Sequence, residues 1–342
     1  MKKGWISLMA VLVAVGCSND DTVDPGTWYS YRNPVEQSDV QDPSIYEEDG
    51  KFYLFSAVPH VESVDDEEEE ITGTITSIIP MMESRDLTSW QRAASVFDED
   101  TRPTFIKDVL PACPEIAYVN DRYLLYYSLS KSYANSGIGV ATADLISGPY
   151  TDRGKLIQAS SSMNGVSSPS FIQDGDDKYL VFGNFNGIFL VRLSADGMET
   201  SGNPVQIAST AFDAPCIFKH DDMYYLFATV GTTDGGASCN CLQVVGRADR
   251  IDGPYYNKGG ETMLSGSYEL LIGGSAKFVG LGHGTVFNVS DGTTWILYNA
   301  YDLSNVNKGR TLMLDRINWV GGWPLVRGQI GSFCADTPLM NK

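Results

Sequence analysis

The stretch "SPSFIQDGDDKYLVFG", residues 168–183, sets a proline ahead of a short apolar run, follows it with a turn of Asp and Gly, and resumes with a second run of aromatic and branched side chains. Two such runs around a Gly/Asp turn read as a β-hairpin. The same shape occurs four more times, as "QDPSIYEEDGKFYLFSA" from 41, "CPEIAYVNDRYLLYYS" from 113, "DAPCIFKHDDMYYLFAT" from 213 and "GHGTVFNVSDGTTWILYNAY" from 282. Proline leads four copies, and Gly284 takes its place in the fifth. The spacing leaves room in each repeat for a four-stranded sheet and its loops. Five such sheets set radially make a β-propeller, an architecture that leaves only short, protected strand edges. The expectation is an all-β, five-bladed β-propeller in a single domain. Among 342 residues, 34 Gly, 18 Tyr and 14 Phe suit strands and tight turns better than long helices.

Other segments fit the blades. "ESRDLTSW" (83–90) and "GIGVATADLISGPYTDRGKLI" (137–157) read as strand, polar turn, strand, and "GRADRIDGPYYNKGG" (246–260) repeats the second pattern. The turns "SGPYTD" and "DGPYYN" are expected to feed an outer strand.

The chain opens "MKKGWISLMAVLVAVGC", two lysines and a short apolar run that is too brief for a spanning helix and has the anatomy of an export signal. "AVGC" resembles a bacterial lipobox, with Ala14 where leucine is usual. The expectation is a lipoprotein signal over residues 1–16, lipid attachment at Cys17, an acidic tether over 17–23, and one propeller domain from 24 to 342. That places the protein outside the cytoplasm, lipid-anchored in a bacterial outer membrane on its periplasmic or cell-surface side. The formal charge of −19, two units lower without Lys2 and Lys3, repels phosphate backbones and excludes a nucleic-acid partner. The run "DDEEEE" (65–70) reads as a solvated loop, because consecutive carboxylates do not converge on a cation. Beyond Cys17 the cysteines are Cys113, Cys216, Cys239, Cys241 and Cys334; "CNC" (239–241) is no zinc-site spacing, and no chemistry is assigned to any of them.

A propeller gathers the starts of its five inner strands at one mouth of the central channel. In this chain those positions are Asp42, the Cys113–Glu115 stretch, Ser168, Asp213 and His283. The alternative is that they merely cap strands and satisfy turns.

At this point the chain resembles glycoside hydrolase family 43, and within it the arabinanase-type members. The resemblance rests on "DPSIYEEDGKFYLFSA", "SRDLTSW", "IGVATADLISGPYTDRG", "YLVFGNFNGIFLVRL", "APCIFKHDDMYYLFAT", "GRADRIDGPY", "GLGHGTVF" and "LYNAYD…LMLDRINWVGGWP", in that order over nearly all of the mature chain. It implies inverting hydrolysis of plant polysaccharide or oligosaccharide carrying α-L-arabinofuranosyl units, by a protein that needs no cofactor and works as a monomer. In that mechanism one carboxylate is the general base on a water and a carboxylic acid of raised pKa protonates the leaving oxygen. A third carboxylate beside the acid raises its pKa by like-charge repulsion.

Carried over position by position, the resemblance makes Asp42 the general base. It puts Asp213, in "FDAPCI", where the family carries glutamate as general acid, and Ser168 where it carries the pKa-tuning aspartate. Glu115 takes the place of a substrate-contact acid. His283 matches a histidine that contacts a bound cation, commonly calcium, through water at the channel centre, and Asn299 stands where relatives often carry histidine. The two departures, at 168 and 213, leave a second reading in view: a catalytically degenerate propeller that binds glycan in the same cleft, against an aromatic rim. A protein-interaction platform is a third reading, and it has no use for Asp42 and His283 at these positions.

Overall fold

The computed structural model describes residues 30–57, 60–62, 74–232 and 235–338. The segments read as an export leader (1–16), a lipidated Cys17 and an acidic tether (17–23), and the 65–70 run, lie outside the described residues. Five antiparallel sheets follow one another along the chain, each laid down in strand order from inside to outside. Blade one uses strands Ser44–Glu48, Lys51–Phe55, Thr74–Ser84 and Gln91–Phe97, with His60–Glu62 added alongside Thr74–Ser84. Blade two runs Ala112–Val119, Arg122–Ser132, Asn135–Ala143 and Thr151–Gln158. Blade three runs Ser170–Asp174, Asp177–Asn184, Gly187–Leu193 and Thr200–Ala208. Blade four runs Asp213–His220, Met223–Val230, Leu242–Ala248 and Glu269–Ile272, and blade five Phe278–Asn288, Thr294–Asp302, Thr311–Val320 and Trp323–Leu325. The hairpin that opens each repeat is therefore the inner pair of each blade, and the chain is the five-bladed propeller its repeats imply.

Runs such as "YYLFA" are apolar at every position because both faces of a blade are covered. Successive residues of a strand point to opposite faces. Tyr224 and Leu226 accordingly pack with Ile172 and Val181 of blade three, while Tyr225 and Phe227 pack with Val286 and Ile296 of blade five. One apolar cluster fills each gap between neighbouring blades, five in all. The last of these joins Phe52 and Leu54 of blade one to Trp295, Leu297, Leu312 and Leu314 of blade five, and so closes the ring.

Closure is reinforced by polar contacts. Ser30–Arg32 pairs antiparallel with Cys334–Asp336, and the segment that follows runs beside Thr311–Val320. Asn33 donates to Leu314 O at 2.9 Å and accepts from Leu314 N at 3.0 Å, while the Val40 N–H donates to Arg310 O at 3.1 Å. This registers the strand entry at Asp42 against the last blade.

The two Gly-Pro-Tyr turns are built alike, with cis Gly148–Pro149 and Gly253–Pro254 bonds and tyrosine hydroxyls that donate to Ile146 O and Ile251 O. They part company afterwards. The first feeds the outer strand Thr151–Gln158 as expected, whereas the second gives only isolated bridges at Tyr256, and blade four's outer strand comes later, at Glu269–Ile272.

Candidate active site

On or just ahead of each inner strand, one residue per blade adopts a left-handed backbone: Asp42 (φ 50°), Cys113 (47°), Ser168 (51°), Ala214 (48°) and His283 (47°). Non-glycine residues rarely hold this conformation, and it concentrates where surrounding structure imposes it. Four of the five precede proline, and the fifth precedes Gly284. A side chain at that position is crowded: a Cβ on Gly284 would lie 2.6 Å from Gln243 Oε1 and 2.8 Å from Ile296 Cδ1, so these side chains would have to shift.

These five positions form a ring, and four of its side chains are joined in sequence by polar contacts. Ser168 Oγ donates to Cys113 Sγ at 3.6 Å, Cys113 Sγ donates to Asp42 Oδ2 at 3.2 Å, and His283 Nδ1 lies 3.0 Å from Asp42 Oδ1. Blade four contributes Ala214, whose methyl ends the chain of contacts. The sequence reading set Asp213 among the ring positions; the structure puts Ala214 there, with Asp213 one residue earlier at the edge of the same cavity. That cavity, about 240 Å³, is lined by Asp42, Cys113, Ser168, Asp213, His283 and Arg310, with Gln41, Ala214, Thr229 and Gly282 completing it. None of the lining side chains is aromatic, so the expected aromatic rim is not part of this cavity.

The two carboxylates facing the cavity are driven in opposite directions. Burial pushes Asp42 upward, but the His283 charge and hydrogen bond, the Cys113 thiol and the Arg310 charge together outweigh it, and its pKa comes down to about 2. For Asp213 burial wins. The His283 charge, the Ala214 N–H at 2.7 Å and Arg310 offset it only in part, the negative charge of Asp42 adds to it, and the pKa rises to about 6. The raised pKa that a third carboxylate would supply is therefore reached with the uncharged Ser168 on the same cavity. His283 is itself raised, because the charges of Asp42, Asp213 and Glu115 exceed the opposing effect of burial.

Two further residues singled out in the sequence act behind the cavity wall. Asn299 is fully buried; its Oδ1 accepts the Asp42 N–H at 2.9 Å and its Nδ2 donates to Val40 O at 2.7 Å, holding the left-handed turn at Asp42. Glu115 belongs to a second ring two residues further along each strand. It accepts from Ser44 Oγ (2.8 Å), the Phe171 N–H (2.7 Å) and Ser170 Oγ (3.4 Å), which ties blades one, two and three together. Burial raises its pKa to about 7 against those hydrogen bonds.

Calcium takes roughly six to eight oxygen ligands, and the His, Cys, Asp and Glu side chains that converge at His283 offer it one carboxylate, so such an ion would be held there largely through water. Two contributors go beyond the sequence reading. The Cys113–Glu115 stretch is expected at the mouth, but cysteine spacing assigns the Cys113 thiol no chemistry. Arg310 belongs to no motif; its backbone N–H donates to Asp39 Oδ1 at 2.9 Å, and its guanidinium lies 5.3 Å from the Tyr301 ring.

A five-bladed propeller holding two half-buried carboxylates of opposed protonation around one cavity has the makings of a glycosidase. Comparison with known proteins identifies which kind: the family model "Glycosyl hydrolases family 43" matches residues 31–324, and the chain belongs to that family. It is 31% identical over 260 residues to the extracellular endo-α-(1→5)-L-arabinanase 1 of Bacillus subtilis, covering 71% of this chain and 78% of that protein. It is 29% identical to the extracellular exo-α-(1→5)-L-arabinofuranosidase of Cellvibrio japonicus, covering 94% of this chain and 92% of the relative. The solved structure of Cellvibrio cellulosa α-L-arabinanase with arabinohexaose superposes with a TM-score of 0.73 at 28% identity, over 85% of this chain and 96% of that one.

Proposed function

We propose that this chain is an exported, inverting glycosidase acting on α-L-arabinofuranosyl-containing polysaccharide or oligosaccharide, with Asp42 as general base and Asp213 as general acid. The observation that carries the assignment of roles is the divergence of the two carboxylates, one driven to about 2 and the other to about 6 around a single cavity. Between those values Asp42 is ionised and able to draw a proton from water, while Asp213 still holds one to give. Water attacks the anomeric carbon as Asp42 takes its proton, the glycosidic bond breaks, and the Asp213 proton goes to the departing oxygen. Attack from the face opposite the leaving group inverts the anomeric centre, and solvent then returns each carboxyl to its starting state. The names of the relatives support arabinan as the substrate class. Arg310 and Gln41 supply donors for sugar hydroxyls along the cavity wall.

The leader over 1–16, lipid attachment at Cys17, the tether over 17–23 and a domain from 24 onward complete the reading, which places a monomer at the cell envelope with membrane contact through its lipid alone. The extracellular relatives support export.

The test is incubation of the purified protein with linear arabinan, branched arabinan, arabinoxylan, galactan and an aryl arabinofuranoside, beside Asp42→Asn, with proton NMR of the first-formed anomer. Arabinan cleavage that yields the β-anomer first and disappears in the variant is the expected result. Retention of glycan by both proteins with no sugar released overturns it and establishes the glycan-binding reading.

A further inference from the structure

His283 Nδ1, the Asp42 carboxylate and Cys113 Sγ all lie within 4.8 Å of one another, on three consecutive positions of the ring, from blades five, one and two. We propose that these three groups form a binding site for a thiophilic divalent cation, zinc being the ion whose chemistry they match.

The geometry is close to what such an ion requires. A tetrahedral zinc bonded at about 2.0–2.3 Å sets its ligand atoms roughly 3.4 Å apart. The two hydrogen-bonded pairs stand at 3.0 Å (Nδ1 to Oδ1) and 3.2 Å (Sγ to Oδ2) on the two oxygens of one carboxylate, and with one atom from each residue the set lies within 4.8 Å, so an ion replaces two protons by drawing these atoms together. The donor set is selective: imidazole and thiolate favour zinc, cadmium or copper over the oxygen-seeking calcium and magnesium. Charge balances too. On binding, Cys113 and His283 each release a proton to solvent, leaving a thiolate and a neutral imidazole, and thiolate and carboxylate together neutralise the dication.

The frame is already rigid. All three residues hold the left-handed backbone, Asn299 fixes the Asp42 N–H, and the His283 N–H donates to Thr229 Oγ1 at 3.0 Å. Ligand orientation by such neighbouring bonds is what metal sites depend on. The cavity offers both the route of entry and a fourth position for water. Occupation ties up Asp42, so the ion switches off hydrolysis; this last consequence alone rests on the function proposed above.

The experiment uses zinc, cadmium and calcium chlorides with the full-length protein. Titration calorimetry is expected to show one equivalent of zinc bound and no heat from calcium, and cadmium should give a thiolate charge-transfer band in the ultraviolet. Because Cys239 and Cys241 also sit with their sulfurs 3.4 Å apart, a Cys239→Ser/Cys241→Ser variant is required as a control, and it should retain both signals. Cys113→Ala should lose both. In the unaltered chain, zinc should slow alkylation of Cys113 by iodoacetamide at least tenfold, read by mass spectrometry. Unprotected Cys113, or signals that vanish with Cys239 and Cys241 instead, overturn the proposal. Zinc binding in a protein that cleaves no glycan leaves this site standing and removes the glycosidase reading; zinc inhibition that persists in Cys113→Ala shows the ion acting elsewhere and overturns the site.

Discussion

His283 and Asp42 meet at 3.0 Å although they stand on the last and first blades, so the pair exists only once the ring has closed. The imidazolium and carboxylate hold one another ionised, and the Asp42 carboxylate is thereby kept as a base far below the usual range. Ring closure and readiness of the base are one event.

Asp42→Asn removes the base while keeping the size of the side chain. Hydrolysis of arabinan should fall by about 10²–10⁴-fold, the range for loss of a general base. Reducing-sugar release measures the loss, and an unchanged circular dichroism spectrum shows that the fold survives.

The pH profile follows from the two carboxylates. With Asp42 ionised above about 2 and Asp213 protonated below about 6, kcat/KM should hold between these values and fall as pH rises past the second. Asp213→Asn should abolish the upper limb. It should cost far more on arabinan than on an aryl arabinofuranoside, whose leaving group departs with little need of a proton.

His283→Asn takes a positive charge away from Asp42, whose pKa then climbs from about 2 towards the ordinary value of about 4. The acidic limb of kcat/KM should move upward by roughly one to two pH units. An unmoved limb would show that His283 does not set the state of the base.

Glu115 governs stability against pH. Its folded-state value of about 7 exceeds that of an unfolded glutamate, so its contribution is fully present below about 4.5 and is lost as pH rises through 7. The loss is at most roughly 3 kcal/mol. Urea midpoints across this window should fall more steeply for the unaltered chain than for Glu115→Gln, which cannot ionise.

Gly284→Ala introduces a methyl where 2.6 Å separates the new carbon from Gln243 Oε1. Overpacking of this kind costs about 1–3 kcal/mol. A lowered melting temperature, with activity reduced because His283 is the preceding residue, is the expected outcome.

The fold was legible because its signal is repeated: a proline, a Gly/Asp turn and two apolar runs recur five times, and each copy is the inner pair of a blade. Asp42, Ser168 and His283 were legible for the same reason, since each occupies the same place in its copy. Asp213 was read at the family's place for the acid, two residues before Pro215, and it opens its strand and lines the cavity; the left-handed backbone of the series falls one residue later, on Ala214. The repeat placed the Cys113–Glu115 stretch at the mouth, but the role of the thiol was not legible, as its partner Asp42 stands 71 residues away and is brought to it only by the packing of blade against blade. Asn299 was noticed for departing from the family, yet its work, gripping the backbone of Asp42, depends on a contact across 257 residues.

The five left-handed positions carry Asp, Cys, Ser, Ala and His on nearly identical backbones. Three of them are gripped at the backbone N–H by a side chain of a neighbouring strand: Asp42 by Asn299 Oδ1, Ser168 by Ser128 Oγ and His283 by Thr229 Oγ1. They behave as interchangeable sockets around a shared opening. A change at one of them rewrites what the opening does and leaves the surrounding architecture as it was, which is how a serine can sit at position 168 in an otherwise intact propeller.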